Sequence, residues 1–263
     1  MGRLLNRVAV VTGGGRGLGR AIAHLLAREG ARVAVLARTE AQVHAVAEEI
    51  RRAGGESLPL VADVARWDSV QQAVAQVLDR WGRVDGLINN AGVIDPIGPT
   101  WRVDPQEWAY NIDVNLKGAF YMSRAVLPHM LERQQGCIVN VGSGAARSVI
   151  TSWSAYCAAK AGLYHFTRVL AAELEGTGIR VNVVRPGVVD TEMQRRIREA
   201  REEDFGRENL LRFRRLKEEG LLMAPEIPAR LIVWLCTEEA QGVHGQEVDI
   251  YDPLWRQRAG LGD

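Results

Sequence analysis

The stretch Ser154-Ala155-Tyr156-Cys157-Ala158-Ala159-Lys160 sets a phenol and an ammonium four residues apart. A helix turns once in about 3.6 residues, so on a helix both side chains leave the same face. A phenol titrates near pH ~10 and is a poor proton donor or acceptor at neutrality. An ammonium held a few ångströms away favours the phenolate and draws that pKa towards the working range. The chemistry open to such a pair is proton exchange with a substrate oxygen. The same spacing also arises wherever an aromatic lies beside a solvated lysine, so its meaning depends on the elements that place it. Only three of the 33 basic residues are lysines, Lys160 among them.

A second pattern lies near the start, where Thr12-Gly13-Gly14-Gly15-Arg16-Gly17-Leu18-Gly19 follows an apolar run and precedes a helical one. Glycines there let backbone approach a pyrophosphate, and a helix N-terminus offers unpaired N–H groups and a favourable dipole. The spacing is T-G-x-x-x-G-x-G over Thr12, Gly13, Gly17 and Gly19, not G-x-G-x-x-G, because position 20 is arginine. The segment that selects the dinucleotide reads Leu36-Ala37-Arg38-Thr39, with no acid before Glu40. A carboxylate there would bond a ribose 2′-hydroxyl, whereas arginine suits a 2′-phosphate. Arg16 and Arg38 together favour NADP(H) over NAD(H); the alternative is two solvated arginines in an arginine-rich chain.

The elements that must position these groups follow from periodicity. Short apolar runs predict strands over 7–12, 32–37, 57–61, 86–89, 137–141, 180–184 and 248–251. Amphipathic stretches predict helices over 20–29, 40–53, 67–81, 105–133 (open to interruption or bending) and 155–174. Continuous apolar strands alternating with helices mean a parallel sheet covered on both faces, a doubly wound α/β fold of Rossmann type. No repeat or linker divides the 263 residues, and residues 1–263 are expected to form one dinucleotide-binding and catalytic domain. Ligands of such sheets bind at the carboxyl ends of strands. Asp63-Val64, Asn89-Asn90-Ala91-Gly92, Ser143 and Pro186-Gly187 fall there, with Asn115 and Thr191 in segments beyond.

In this order the motifs resemble those of the short-chain dehydrogenase/reductase family, from about Leu5 to Gly245. The resemblance implies an enzyme that interconverts a ketone or aldehyde and an alcohol by hydride transfer with a nicotinamide dinucleotide. It gives Tyr156 the proton exchange with the substrate oxygen and Ser143 the polarisation of the carbonyl. Lys160 would lower the pKa of Tyr156 and bind the nicotinamide ribose, and Asn115 would hold a water in a proton relay. Gly13, Arg16, Gly17, Leu18, Gly19 and Arg38 would meet the cofactor's phosphates. Asp63 and Val64 would meet the adenine, and Asn89, Ala91 and Gly92 would line the cleft. Pro186, Gly187, Val189 and Thr191 would meet the nicotinamide end. Ile94, Ala145, Trp153, Val188 and Met193 would form a mainly apolar substrate pocket. Residues 190–224, dense in both charge signs with interleaved apolar positions, would form a substrate lid. The resemblance also implies a homotetramer or homodimer built through the helices over 105–133 and 155–174. Two alternatives are an NAD-linked polyol or sugar dehydrogenase on the same site and a non-catalytic dinucleotide-binding regulator.

Composition narrows the partners. A formal net charge of +1 gives no electrostatic case for nucleic acid or a membrane surface. No run of 18 apolar residues could span a bilayer, and the N-terminal apolar run is short for a signal peptide. Cys137, Cys157 and Cys236 have no metal or redox spacing and read as buried free thiols, which points to a cytoplasmic protein. The expected partner is a small carbonyl or alcohol compound, with no metal site. The tail departs from the family's usual V-D-G-G ending: Gly245-Gln246-Glu247-Val248-Asp249-Ile250-Tyr251-Asp252 continues into Leu254-Trp255-Arg256. It would either pack against a neighbouring subunit or help to close the pocket.

Overall fold

The computed structural model describes residues 2–262. Its first half alternates β1 (Val8–Thr12), α1 (Gly17–Arg28), β2 (Arg32–Ala37), α2 (Glu40–Arg52), β3 (Glu56–Val61), α3 (Trp67–Trp81) and β4 (Gly86–Asn89). After β4 come α4 (Pro105–Ile112), a π turn over Asp113–Lys117, α5 (Gly118–Glu132) and β5 (Gly136–Val141). A 3-10 turn (Gly144–Ala146), α6 (Ser154–Glu173) and β6 (Ile179–Arg185) follow. The chain ends with α7 (Glu192–Arg198), α8 (Glu202–Phe205), α9 (Arg207–Glu218), α10 (Glu226–Leu235), β7 (Glu247–Asp249) and α11 (Pro253–Arg258).

The seven strands form one parallel sheet in the order β3-β2-β1-β4-β5-β6-β7. Alternation along each strand divides the core into two layers. Ala9, Val11, Val33, Val35, Val139 and Val141 face the layer closed by α1, α2 and α10. Val8, Val10, Ala34, Leu36 and Ile138 face the layer closed by α3, α5 and α6. Both faces are covered, which is why these strands read as unbroken apolar runs. The strand order reverses between β1 and β4, so the loops after those two strands diverge and leave a crevice at their carboxyl ends.

Several features differ from the sequence expectation. Helix α1 opens at Gly17, three residues before 20, because the glycine loop turns directly into helix. Helix α10, which contributes Leu231, Ile232 and Trp234 to the core, has no counterpart among the expected elements. The last strand ends at Asp249 rather than 251, and the tail folds back on its own chain. Trp255 packs on Trp234 with ring centroids 6.5 Å apart, and the Arg258 guanidinium lies 5.3 Å from each ring centroid. Cys137 is buried, but Cys157 and Cys236 are only partly so. Among the described residues no helix is long and apolar enough to cross a membrane.

Candidate active site

The crevice is held open by side chains that fasten β1 to β4. Thr12 Oγ1 accepts from the backbone N–H groups of Asn90 and Ala91, each at 3.0 Å. Asn90 Nδ2 returns two bonds, to the carbonyl oxygens of Thr12 at 2.9 Å and Gly13 at 3.2 Å. A Cβ on Gly19 would stand 2.1 Å from the Gly13 carbonyl oxygen, and Gly13 itself has φ +63°. The loop therefore accepts only glycine at these points. The first turn of α1 faces the crevice with N–H groups that have no intrahelical partner, a seat for an anion.

The cleft has a volume of about 490 Å³. Arg16, Arg38, Thr39 and Gln42 line one end, with Asp63 and Val64 beside them. Arg38 donates to the Tyr110 hydroxyl on α4, and its guanidinium lies 5.8 Å from that ring centroid. No carboxylate follows β2 before Glu40, which is outside the lining. Leu18, Ala91, Gly92, Pro186, Gly187, Val189 and Thr191 line the cleft too, as do Ser143, Tyr156 and Lys160. The glycine cradle and the free helix N-terminus suit the pyrophosphate of a dinucleotide in shape and charge, and Arg16 and Arg38 line the same cleft.

Tyr156 and Lys160 lie on the buried stripe of α6 that includes Ala159, Leu163 and Thr167. Lys160 is 4% exposed, and its Nζ donates to the Val141 carbonyl at the end of β5, 2.9 Å away. Burial pulls the ammonium down from 10.5 to about 8. Burial likewise pushes the Tyr156 phenol up, with the nearby Ser143 hydroxyl pulling the other way. The Lys160 Nζ lies 5.6 Å from the phenol ring centroid. The Ser143 hydroxyl also accepts from Ala145 N–H at 3.2 Å, which fixes the start of its loop.

Two expected residues lie behind the cleft wall rather than in it. Asn89 is the last residue of β4, and strand alternation turns it into the core, where Nδ2 donates to Asn140 Oδ1 at 2.8 Å. Its neighbour Asn90, which the sequence reading passed over, is the one that lines the cleft. Asn115 is 2% exposed and sits in the π turn between α4 and α5, a local widening of the helix frequent at functional sites. Its Nδ2 donates to the Val93 carbonyl at 2.8 Å.

Ile94, Ala145, Trp153, Val188 and Met193 all line the same cleft. Aromatic residues of the 190–224 segment pack against this group. Phe205 stacks on Trp153 at 4.9 Å and Phe213 lies 5.3 Å from it, while Trp153 meets the Tyr156 ring edge-on at 5.6 Å. Residues 190–224 leave and rejoin the body together: Met223 N–H donates to Val188 O and Asp190 N–H to Met223 O, each at 2.8 Å. From the tail, Tyr251 lines the cleft, its hydroxyl accepting from Val188 N–H at 3.4 Å.

The model of the short chain dehydrogenase family matches residues 7–202. The chain belongs to the short-chain dehydrogenase/reductase family. Its similarity to the family's curated members runs nearly end to end. It is 34% identical to a 3-oxoacyl-(acyl-carrier-protein) reductase of Thermotoga maritima over 94% of this chain and 97% of that one. It is 35% identical to a D-threitol dehydrogenase of Mycolicibacterium smegmatis, over 94% and 92%. Among solved structures, one from Beutenbergia cavernae is described as an NAD(P) dependent gluconate 5-dehydrogenase with bound NADP at low occupancy. It superposes with a TM-score of 0.84 and 35% identity, covering 97% of this chain and 98% of that one. This short-chain dehydrogenase/reductase is an NAD(P)-dependent oxidoreductase.

Proposed function

We propose that the protein is an NADP(H)-dependent oxidoreductase that interconverts a ketone or aldehyde with its alcohol. One observation carries the reading. Tyr156, Ser143 and Lys160 line the same cleft as Arg16, Arg38 and the glycine loop. The first turn of α1 and the glycine loop hold the pyrophosphate, and Arg16 and Arg38 flank the 2′-phosphate. Thr191 and Pro186 border the nicotinamide, and Lys160 binds its ribose. When bound, the reduced cofactor supplies a hydride to the carbonyl carbon. Ser143 and the Tyr156 hydroxyl donate hydrogen bonds to the oxygen as negative charge develops there. Tyr156 then delivers its proton, and Lys160, titrating at about 8, exchanges protons readily enough near neutrality to restore it.

The apolar wall of Ile94, Trp153, Met193 and Phe213 favours a hydrophobic carbonyl compound over a polyol. Residues 190–224 act as the lid over that compound within a single catalytic domain. Assembly into a homotetramer uses α5 and α6, whose Phe120 and Val169 stand 46% and 45% exposed. The deciding experiment follows NADPH oxidation against a panel of ketones, aldehydes and β-ketoacyl thioesters, beside fluorescence titrations with NADPH and NADH. Turnover of an apolar ketone with tighter NADPH binding is expected. Tighter NADH binding, or turnover of polyols alone, would replace this reading with that of an NAD-linked polyol dehydrogenase.

A further inference from the structure

Asn111, one helical turn before Asn115 on α4, is completely buried and took no part in the sequence reading. Its carboxamide is fixed by backbone. Nδ2 donates to the carbonyl oxygens of Asp95 at 2.6 Å and Val93 at 3.3 Å. Turning that amide over would set its oxygen against two acceptors, so Asn111 Oδ1 must point the other way. There it accepts from Asn115 Nδ2 at 2.9 Å.

Asn115 Nδ2 thus faces three acceptors: Asn111 Oδ1, the Asn111 carbonyl at 3.1 Å and the Val93 carbonyl at 2.8 Å. The Asn115 amide cannot be turned over without opposing its oxygen to all three. Its Oδ1 is left buried and unpartnered, over Gly92. A Cβ at Gly92 would stand 2.8 Å from that oxygen and 3.8 Å from Lys160 Nζ, so the acceptor and the ammonium border the same space. A buried acceptor without a donor is costly, and it is tolerated where it serves a partner such as a bridging water or a proton carrier.

We infer that Asn111 is a positioning residue. It locks the carboxamide of Asn115 so that the amide oxygen is presented to the Lys160 side, where the proton taken from Tyr156 is replaced. The inference rests on the proposed role of Lys160 and on the proton-relay role that the family resemblance implies for Asn115. It differs from them in assigning the orientation of Asn115 to a second asparagine, held by the loop after β4. Geometry also limits what can stand at 111. A leucine of similar size fills the volume but offers no acceptor. An aspartic acid in its protonated form both donates to Asp95 O and accepts from Asn115.

The test is a double-mutant cycle with Asn111→Leu and Asn115→Ala, read as kcat, ketone KM and the pH dependence of kcat, each per folded enzyme. Asn111→Leu is expected to lower kcat roughly tenfold with KM changed less than twofold, and to shift the pH dependence of kcat. In the Asn115→Ala background the same change should alter kcat by less than about twofold, because coupled residues act as a unit. Asn111→Asp should recover much of the lost rate at mildly acid pH. If Asn111→Leu lowers only the melting temperature, leaving kcat and its pH profile as in wild type, Asn111 is structural and the inference fails alone. If Asn115→Ala is itself as active as wild type, the relay reading fails and takes the inference with it.

Discussion

Replacing Lys160 by methionine should stabilise the protein at neutral pH while it abolishes turnover. The side chain is 4% exposed, and burial lowers its ammonium from 10.5 to about 8. The unfolded chain therefore binds more protons than the folded one between those two values, and wild-type stability rises with pH across that window. Below pH 8 the charged lysine stays buried at a full cost of about 3 kcal/mol. Methionine removes the charge and keeps the linear apolar stem. The loss of the Nζ donation to Val141 O, 2.9 Å long, gives back about 1 kcal/mol. The net gain at pH 7 is about 2 kcal/mol. Urea unfolding of both proteins at pH 7 and pH 10 measures it, because groups common to the two cancel in the difference. The variant should be the more stable at pH 7, and the gap should close or reverse by pH 10. A variant less stable at pH 7, with a gap that pH does not move, would refute the burial argument.

Other consequences are sharper in activity. Tyr156→Phe removes the proton donor but leaves the cleft's shape, so kcat should fall by roughly 10²–10⁴ while NADPH affinity, followed by fluorescence, stays within twofold. Removing both Arg16 and Arg38 to alanine should weaken NADPH binding about tenfold or more and leave NADH binding almost unchanged, with the loss shrinking at high salt. Gly19→Ala would drive a Cβ to 2.1 Å from the Gly13 carbonyl and 2.6 Å from Asn90 Nδ2. It should cost about 1–3 kcal/mol in thermal unfolding and most of the dinucleotide affinity. By contrast, Gly144→Ala meets nothing within 4 Å and should melt like wild type.

Much of the site was legible because its signals are local. The glycine spacing is a property of one turn, and the Tyr156–Lys160 spacing is a property of one helix; the structure places both where those periods require. The boundary of α1 was misread because glycine-rich sequence looks like loop even where it opens a helix. Choosing Asn89 over Asn90 failed for another reason. Two adjacent asparagines point to opposite sides of a strand, and only the phase of β4 against β5 says which one meets the cleft. The lid's aromatic residues were visible as apolar positions, but their meeting at Trp153 depends on how three helices fold over the sheet.

The order of elements, the cradle and the reactive pair are encoded in periodicity and spacing, which act over one turn or one strand and can be read along the chain. The charge state of the pair is not. A lysine beside a tyrosine suggests a lowered phenol pKa, but whether its field or desolvation prevails depends on burial. Burial is created by α6 packing against the sheet and by Trp153 closing over the phenol. The orientation of Asn115 belongs to the same class. It is decided by the Val93, Asp95 and Asn111 acceptors, which only tertiary structure brings together.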